Sequence, residues 1–215
     1  NSLSGSGGTP AHKMFQQADA YMRQPIGTNS PWASKPGDTG APYLGCRRSY
    51  HIMMTDGRWN GTAHGVTDSN RRDNATNITL PDGTVYGGST AAERAKTALY
   101  RDGHSGSTLA DWAFYSWANP LKEASELKGS LETSLEYRMA PPTETFENRV
   151  SKTKATLDRY WNPRYNPATW PHMVTYTIGL SKMAYTWPGV SGATAADFCN
   201  TTNNIRAPGQ TCGAG

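Results

Sequence analysis

Apolar residues in this chain fall into four short patterned runs separated by long polar stretches. In the first run Ala11, Met14, Phe15, Ala18, Tyr21 and Met22 recur at the i, i+3, i+4, i+7 spacing of an amphipathic helix. Thr9 is a natural N-cap for it, and Pro10 suits the first helical position. In the second run, Tyr50-His51-Ile52-Met53-Met54 leads into Thr55-Asp56-Gly57, which predicts a buried strand ended by a turn. The third run, Leu109, Ala113, Phe114 and Trp117, predicts a helix capped by Thr108 with Asp111 three residues on, and stopped by Asn119-Pro120. In the fourth, Val174, Tyr176, Ile178 and Leu180 alternate with Thr175, Thr177 and Gly179, as in a strand.

Between these runs the chain reads mainly as loop. Residues 25–46 are rich in Pro, Gly, Ser and Thr. Residues 57–106 and 121–171 read as insertions. The first carries a small hairpin around Pro81-Asp82-Gly83-Thr84 and a short helix from Ala91. The second is a charged, irregular excursion with some helix, in which Leu127, Leu131 and Leu135 recur at helical spacing.

Composition narrows the class. The chain has 215 residues, 36% of them hydrophobic and 18% charged, enough for a single domain over 1–215 with a modest core. No run approaches a membrane span. The first residues lack an initiator Met and the apolar core of a signal peptide, so the chain reads as processed or cut from something longer. The formal charge of +4 is spread out, with no basic tract beyond Arg47-Arg48 and Arg71-Arg72, which argues against nucleic acid as a partner.

The three cysteines, Cys46, Cys199 and Cys212, contain no CxxC pair, which excludes the usual zinc and thioredoxin patterns. Cys199 and Cys212 flank a polar loop that a disulfide would close. Cys46 would then stay free or pair outside the chain, and the three possible pairings stay open.

Candidate chemistry centres on Asp56. A strand that ends in Thr-Asp-Gly sets a carboxylate at its carboxyl tip, where open α/β sheets bind ligands. The alternative role of Asp56-Gly57 is a tight turn. Thr9 would offer a hydroxyl beside a helix N-terminus, or simply cap it. Asp68, Asn70 and Asp73 approximate a calcium loop but fail its register, since Asp73 stands where Gly is required, so Ca²⁺ is weakly supported. Gly103-His104-Ser105-Gly106-Ser107 is a broken nucleophile elbow, leaving a secreted serine hydrolase, with Ser105 and His104 or His172, as a minor alternative to a non-enzymatic role.

Three blocks, Gly-Gly-Thr-Pro before a helix, a strand ending in Thr-Asp-Gly, and Val-Thr-Tyr-Thr-Ile-Gly-Leu, resemble the later part of a von Willebrand factor A domain. CRRSYHIMMTDGRWNG, STLADWAFYSWANPL and WPHMVTYTIGLS together resemble the PilC/PilY family of type IV pilus tip-associated proteins. The resemblance implies a doubly wound, mostly parallel α/β sheet with long loop insertions. It also implies a metal-dependent adhesion site in which Thr9 and Asp56 occupy the second and third metal loops, holding Mg²⁺ or Mn²⁺. The Asp-x-Ser-x-Ser loop of that site does not occur, so the domain reads as incomplete at its N-terminus and its two remaining residues as weak ligands. The implied setting is the bacterial surface or pilus tip, exported and associated with the outer membrane. The implied partners are minor pilins, a host or surface ligand, and the rest of the parent chain. The implied role is adhesion or pilus assembly.

Overall fold

The computed structural model describes residues 11–55, 77–97, 108–147 and 154–179. Within them run α1 (Ala11–Arg23), β1 (Ser49–Thr55), β2 (Asn77–Thr79), β3 (Val85–Gly87), α2 (Ala91–Lys96), α3 (Leu109–Ala118), α4 (Leu135–Met139), β4 (Thr143–Glu147), β5 (Lys154–Asp158) and β6 (Met173–Gly179). The four patterned runs correspond to α1, β1, α3 and β6. The architecture is mixed: β1 and β6 form a two-stranded parallel sheet, while β2–β3 and β4–β5 are antiparallel hairpins. Parallel pairing needs a crossover connection, and α3 lies on the path from β1 to β6 and packs on β6.

Helix α3 is the hub. Its Thr108 cap accepts from the Asp111 amide, and the Asp111 carboxylate accepts from the Thr108 amide, closing the expected capping box. On one side Trp112 joins Phe15, Trp32, Leu121 and Met173 in a core shared with α1 and β6. On the other, Phe114 and Ala118 join Leu80, Tyr86, Trp161, Ala168 and Trp170. The rings of Tyr86 and Phe114 lie 4.6 Å apart, and those of Trp117 and Trp170 5.4 Å, within the range where aromatic pairs add to area burial. The insertions therefore pack as a second layer of apolar surface over the outer side of α3.

The expected buried stripe of α1 is rotated. Ala11 and Phe15 are buried and Ala18 and Met22 pack against the same core, as expected, but Met14 and Tyr21 are exposed while His12 and Asp19 are buried. A polar contact sets this rotation. Asp19 accepts a 2.7 Å hydrogen bond from the Ser116 hydroxyl of α3 and a 2.8 Å charge-assisted bond from Arg23 one turn on, and a buried carboxylate needs such partners.

Two expectations are corrected. Strand β1 is buried on one face only: Met53 is inward, while Tyr50, Ile52 and Met54 are exposed. The excursion 121–171 holds some helix, as expected, in α4, but Leu127, Leu131 and Leu135 do not share one helix, and the β4–β5 hairpin was not foreseen. Thr-Glu-Thr-Phe-Glu and Lys-Ala-Thr-Leu-Asp bury few side chains, Phe146 and Leu157 among them, so an alternating apolar signal is almost missing. A cross-strand hydrogen bond of 2.8 Å between the hydroxyls of Thr145 and Thr156 ties the pair instead.

The 25–46 segment is loop, as expected, but it is anchored. Trp32 is fully buried and donates its indole N–H to the Met22 carbonyl at 2.9 Å. Just before β1, the Gly45 amide donates to the Lys128 carbonyl. A side chain at Gly45 would meet the Gly129 carbonyl oxygen at 2.5 Å, so only glycine permits this approach. No helix among the described residues is long and apolar enough to cross a membrane.

Candidate functional site

The carboxyl edge of the β1–β6 sheet is defined by register. Ser49 stands opposite Met173, and the pairing holds through Thr55 opposite Gly179, the last described residue of each strand. Three successive turns of α1 meet three successive turns of α3. Phe15 stacks on Trp112 at 6.1 Å, Asp19 accepts from Ser116, and Arg23 donates to the carbonyls of Pro120 at 2.7 Å and Asn119 at 3.3 Å. The two helices therefore run parallel and in register. The Leu121 amide, just past the end of α3, donates to the Pro171 carbonyl just before β6. The carboxyl ends of both helices thus sit at the amino end of β6. Their amino ends point toward the carboxyl edge of the sheet, and with them the positive ends of two helix dipoles.

Of the expected site residues, Thr9, Asp56, Cys199 and Cys212 lie outside the described residues, as do Asp68, Asn70, Asp73, His104 and Ser105. Asp56 follows Thr55, the last residue of β1, and Thr9 precedes the first residue of α1 by two. Cys46 is a free, exposed thiol. Among the described residues no group of three or more His, Cys, Asp and Glu is placed to hold a metal.

His172 has a different role from the one a hydrolase would need. It is buried, and its Nδ1 lies 2.7 Å from the Trp170 carbonyl, which can only accept. Nδ1 therefore carries the proton, and Nε2 accepts from the Asn166 amide nitrogen at 2.7 Å. The Asn166 oxygen in turn accepts from the Trp117 indole N–H and the Ala168 amide, each at 3.2 Å. The Trp170 indole donates to the Trp117 carbonyl at 2.7 Å. Burial pushes the His172 pKa below the ordinary imidazole value, against the raising effect of the Trp170 carbonyl. Both ring nitrogens are occupied, so the imidazole locks the start of β6 to the end of α3 and is not a free base.

His51 lies on the inner side of β1, edge-on to the Phe15 ring at 4.5 Å, and burial lowers its pKa as well. The sequence reading missed two features: the Asp19–Ser116–Arg23 clamp and the His172–Asn166 lock. The available signal for the first was an acid set four residues after a core Phe and four before an Arg. For the second it was an Asn and a His bracketing one core tryptophan, Trp170.

Comparison with known proteins gives one consistent result. The chain is 36% identical over 208 residues, 95% of its length, to the type IV pilus biogenesis factor PilY1 of Pseudomonas aeruginosa strain PAO1. It is 37% identical over 180 residues to the protein of the same name from strain PAK, and 37% over 191 residues to that of strain UCBPP-PA14. The chain spans between 13% and 15% of the length of these relatives. No protein-family model matches it, and no solved structure does.

Proposed function

The chain belongs to the PilC/PilY family of type IV pilus proteins, and from that premise we propose that it is a binding module of the pilus, working at the bacterial surface or pilus tip rather than as an enzyme. The reading assigns the carboxyl edge of the β1–β6 sheet as the binding edge of a von Willebrand factor A-type domain, with a surface ligand or a pilus component such as a minor pilin as partner. The observation that supports it is the parallel register from Ser49–Met173 to Thr55–Gly179, which carries the two strands side by side up to the residue before Asp56.

In this reading Thr9 and Asp56 hold Mg²⁺ or Mn²⁺, directly or through water. A hydroxyl and a carboxylate suit such hard ions, which retain several waters and accept a further oxygen from a partner. The ion would supply a bridge to an acidic group on the ligand. Two residues make a weak set, so affinity in the 215-residue chain is expected to be low.

Calorimetric titration with Mn²⁺ and Mg²⁺ tests the metal, on the longest native polypeptide containing this chain and on its Asp56→Ala variant. Binding that disappears in Asp56→Ala supports the site; equal binding in both, or none in either, rejects it. A second reading, a scaffold that packs on minor pilins without metal, is favoured by the relatives' name, biogenesis factor. Pilus counts and surface attachment in Asp56→Ala cells separate the two. Normal piliation with lost attachment supports binding, and lost piliation supports the scaffold.

A further inference from the structure

The β4–β5 hairpin stands apart from the two cores that flank α3, since neither includes its buried residues Phe146 and Leu157. Residues 162–164 hold it instead. The Asn162 side-chain amide donates to the Glu144 carboxylate, which pairs with Arg164 at 3.5 Å, and the Arg164 guanidinium lies 4.8 Å over the Phe146 ring. The phase of the ladder follows from one bond. The Arg159 amide donates to the Pro142 carbonyl at 2.8 Å, one step beyond the Thr143–Asp158 pair. Bonded and non-bonded pairs alternate along an antiparallel ladder. Glu144–Leu157 and Phe146–Ala155 are therefore bonded, and Thr143–Asp158, Thr145–Thr156 and Glu147–Lys154 are not. The 2.8 Å contact between the Thr145 and Thr156 hydroxyls agrees, because side chains come closest across non-bonded pairs. The backbone groups of Thr143, Thr145 and Glu147 thus point off the free edge of β4, and those of Lys154, Thr156 and Asp158 off that of β5. Among the described residues none of them has a backbone partner across its edge.

The two edges differ. β5 carries the exposed Lys154, and Lys96 lies 3.4 Å from Asp158. Lysine is a common guard of sheet edges against pairing. β4 presents Thr143 and Thr145, both exposed and β-branched, with no lysine, proline or bulge from Thr143 to Glu147. We propose that the free edge of β4 pairs antiparallel with the same edge of a second copy of this chain, joining two hairpins into one four-stranded sheet. The edge is self-complementary. A twofold axis at Thr145 pairs Thr145 with Thr145 of the second copy, and Thr143 with Glu147 of the second copy. Each such pair exchanges two hydrogen bonds, in the closed, isologous contact of a C2 dimer. The same register sets Glu144 opposite Phe146 of the second copy, whose ring carries its own Arg164. A carboxylate of each copy thereby comes beside a guanidinium of the other, and the Arg164 side chain, 59% exposed, can serve both. A two-stranded hairpin is marginal by itself in water, so pairing supplies bonds that it lacks. An edge of five residues is a small interface, and the dimer is expected to be weak and governed by concentration.

The hairpin edge shares no residue with the proposed metal site, so either can fail alone. Sedimentation velocity on the 215-residue chain over about a thousandfold range of concentration, with amide hydrogen exchange read by NMR at both ends of that range, tests the pairing. The chain is expected to pass from monomer to dimer. The Thr143, Thr145 and Glu147 amides should then exchange at least tenfold more slowly, while those of Lys154, Thr156 and Asp158 keep their rates. A chain that stays monomeric overturns the proposal, as does a dimer that leaves the β4 amides unslowed or slows both edges alike. Thr145→Pro removes the central outward amide at a position where an edge strand tolerates proline, and Thr156→Pro makes the same change on the other edge. Thr145→Pro is expected to weaken dimerisation at least tenfold and Thr156→Pro less than twofold. Equal weakening would trace the effect to the hairpin's own stability and overturn the pairing. If either variant fails to fold, the exchange rates of the unmodified chain still decide.

Discussion

His172 shows how a residue with a catalytic look is committed to structure. Its Nδ1–H and Nε2 are both used, and the Asn166 amide that serves Nε2 is itself fixed by Trp117 and Ala168. A second proton would have to sit on Nε2, against a donor. The folded-state pKa is therefore depressed, as burial also dictates. The unfolded chain titrates near the ordinary value of about 6.5. Below that pH the unfolded state takes up the proton first, so stability is full above about pH 6.5 and falls as pH drops toward the folded pKa. His51, lowered by burial, adds in the same direction. Thermal melting between pH 7.5 and pH 5.5 should show a falling midpoint. In His172→Gln the fall should be shallower, though not abolished, and stability at pH 7.5 should drop by about 1–3 kcal/mol for the disturbed buried partners. A slope identical to wild type in His172→Gln would rule out this linkage.

Parallel α1 and α3 are held by a ladder with one rung per turn, and its middle rung is polar. Asp19 is buried and takes bonds from both Ser116 and Arg23, while Arg23 spans to the carbonyls that end α3 and lies 4.9 Å over the Tyr115 ring. Asp19→Ala strands a partly buried guanidinium and should cost about 3 kcal/mol. Ser116→Ala removes one bond to a charged group and should cost about 1.5–3 kcal/mol. Because the two residues share the bond, the double variant should fall short of the sum, read as coupling in urea unfolding midpoints; strict additivity would deny the rung. The ladder also marks how far sequence could see. Helix existence, caps and stops were readable because Thr108, Asp111 and Asn119-Pro120 act locally. The rotation of α1 was not, because it depends on Ser116, ninety-seven residues away. The β4–β5 hairpin escaped for a related reason: its strands bury few side chains and declare themselves by backbone pairing and Thr145–Thr156 rather than by pattern. At the candidate site, Thr-Asp-Gly pointed to a strand leading into Asp56, and β1 does run through Thr55, with Asp56 outside the described residues. The partner strand and its register come from long-range pairing that no local pattern encodes.

For the whole molecule, the question is which surfaces of the sheet carry stability within these 215 residues. Two cores flank α3, and the inner one includes Met173 at 3% exposure beside Phe15, Trp32, Trp112 and Leu121. Truncating such a side chain loses its transfer energy and leaves a cavity, so Met173→Ala should cost about 2–4 kcal/mol in the chain by itself. Ile52, one strand over and facing outward at 61% exposure, has little packing to lose. Ile52→Ser should change stability by no more than about 0.5 kcal/mol, the range for a surface site away from special features. Chemical denaturation of the two variants against wild type gives the comparison directly. Equal costs would mean that the outer face is already packed in the chain and that the one-sided sheet is wrong. The expected asymmetry would mean that the fold is held from the helix side alone, by aromatic layers that the insertions extend over α3. The carboxyl edge, where two strands and two helix amino ends converge, would then be positioned by the helix-side core without needing the open face to be filled.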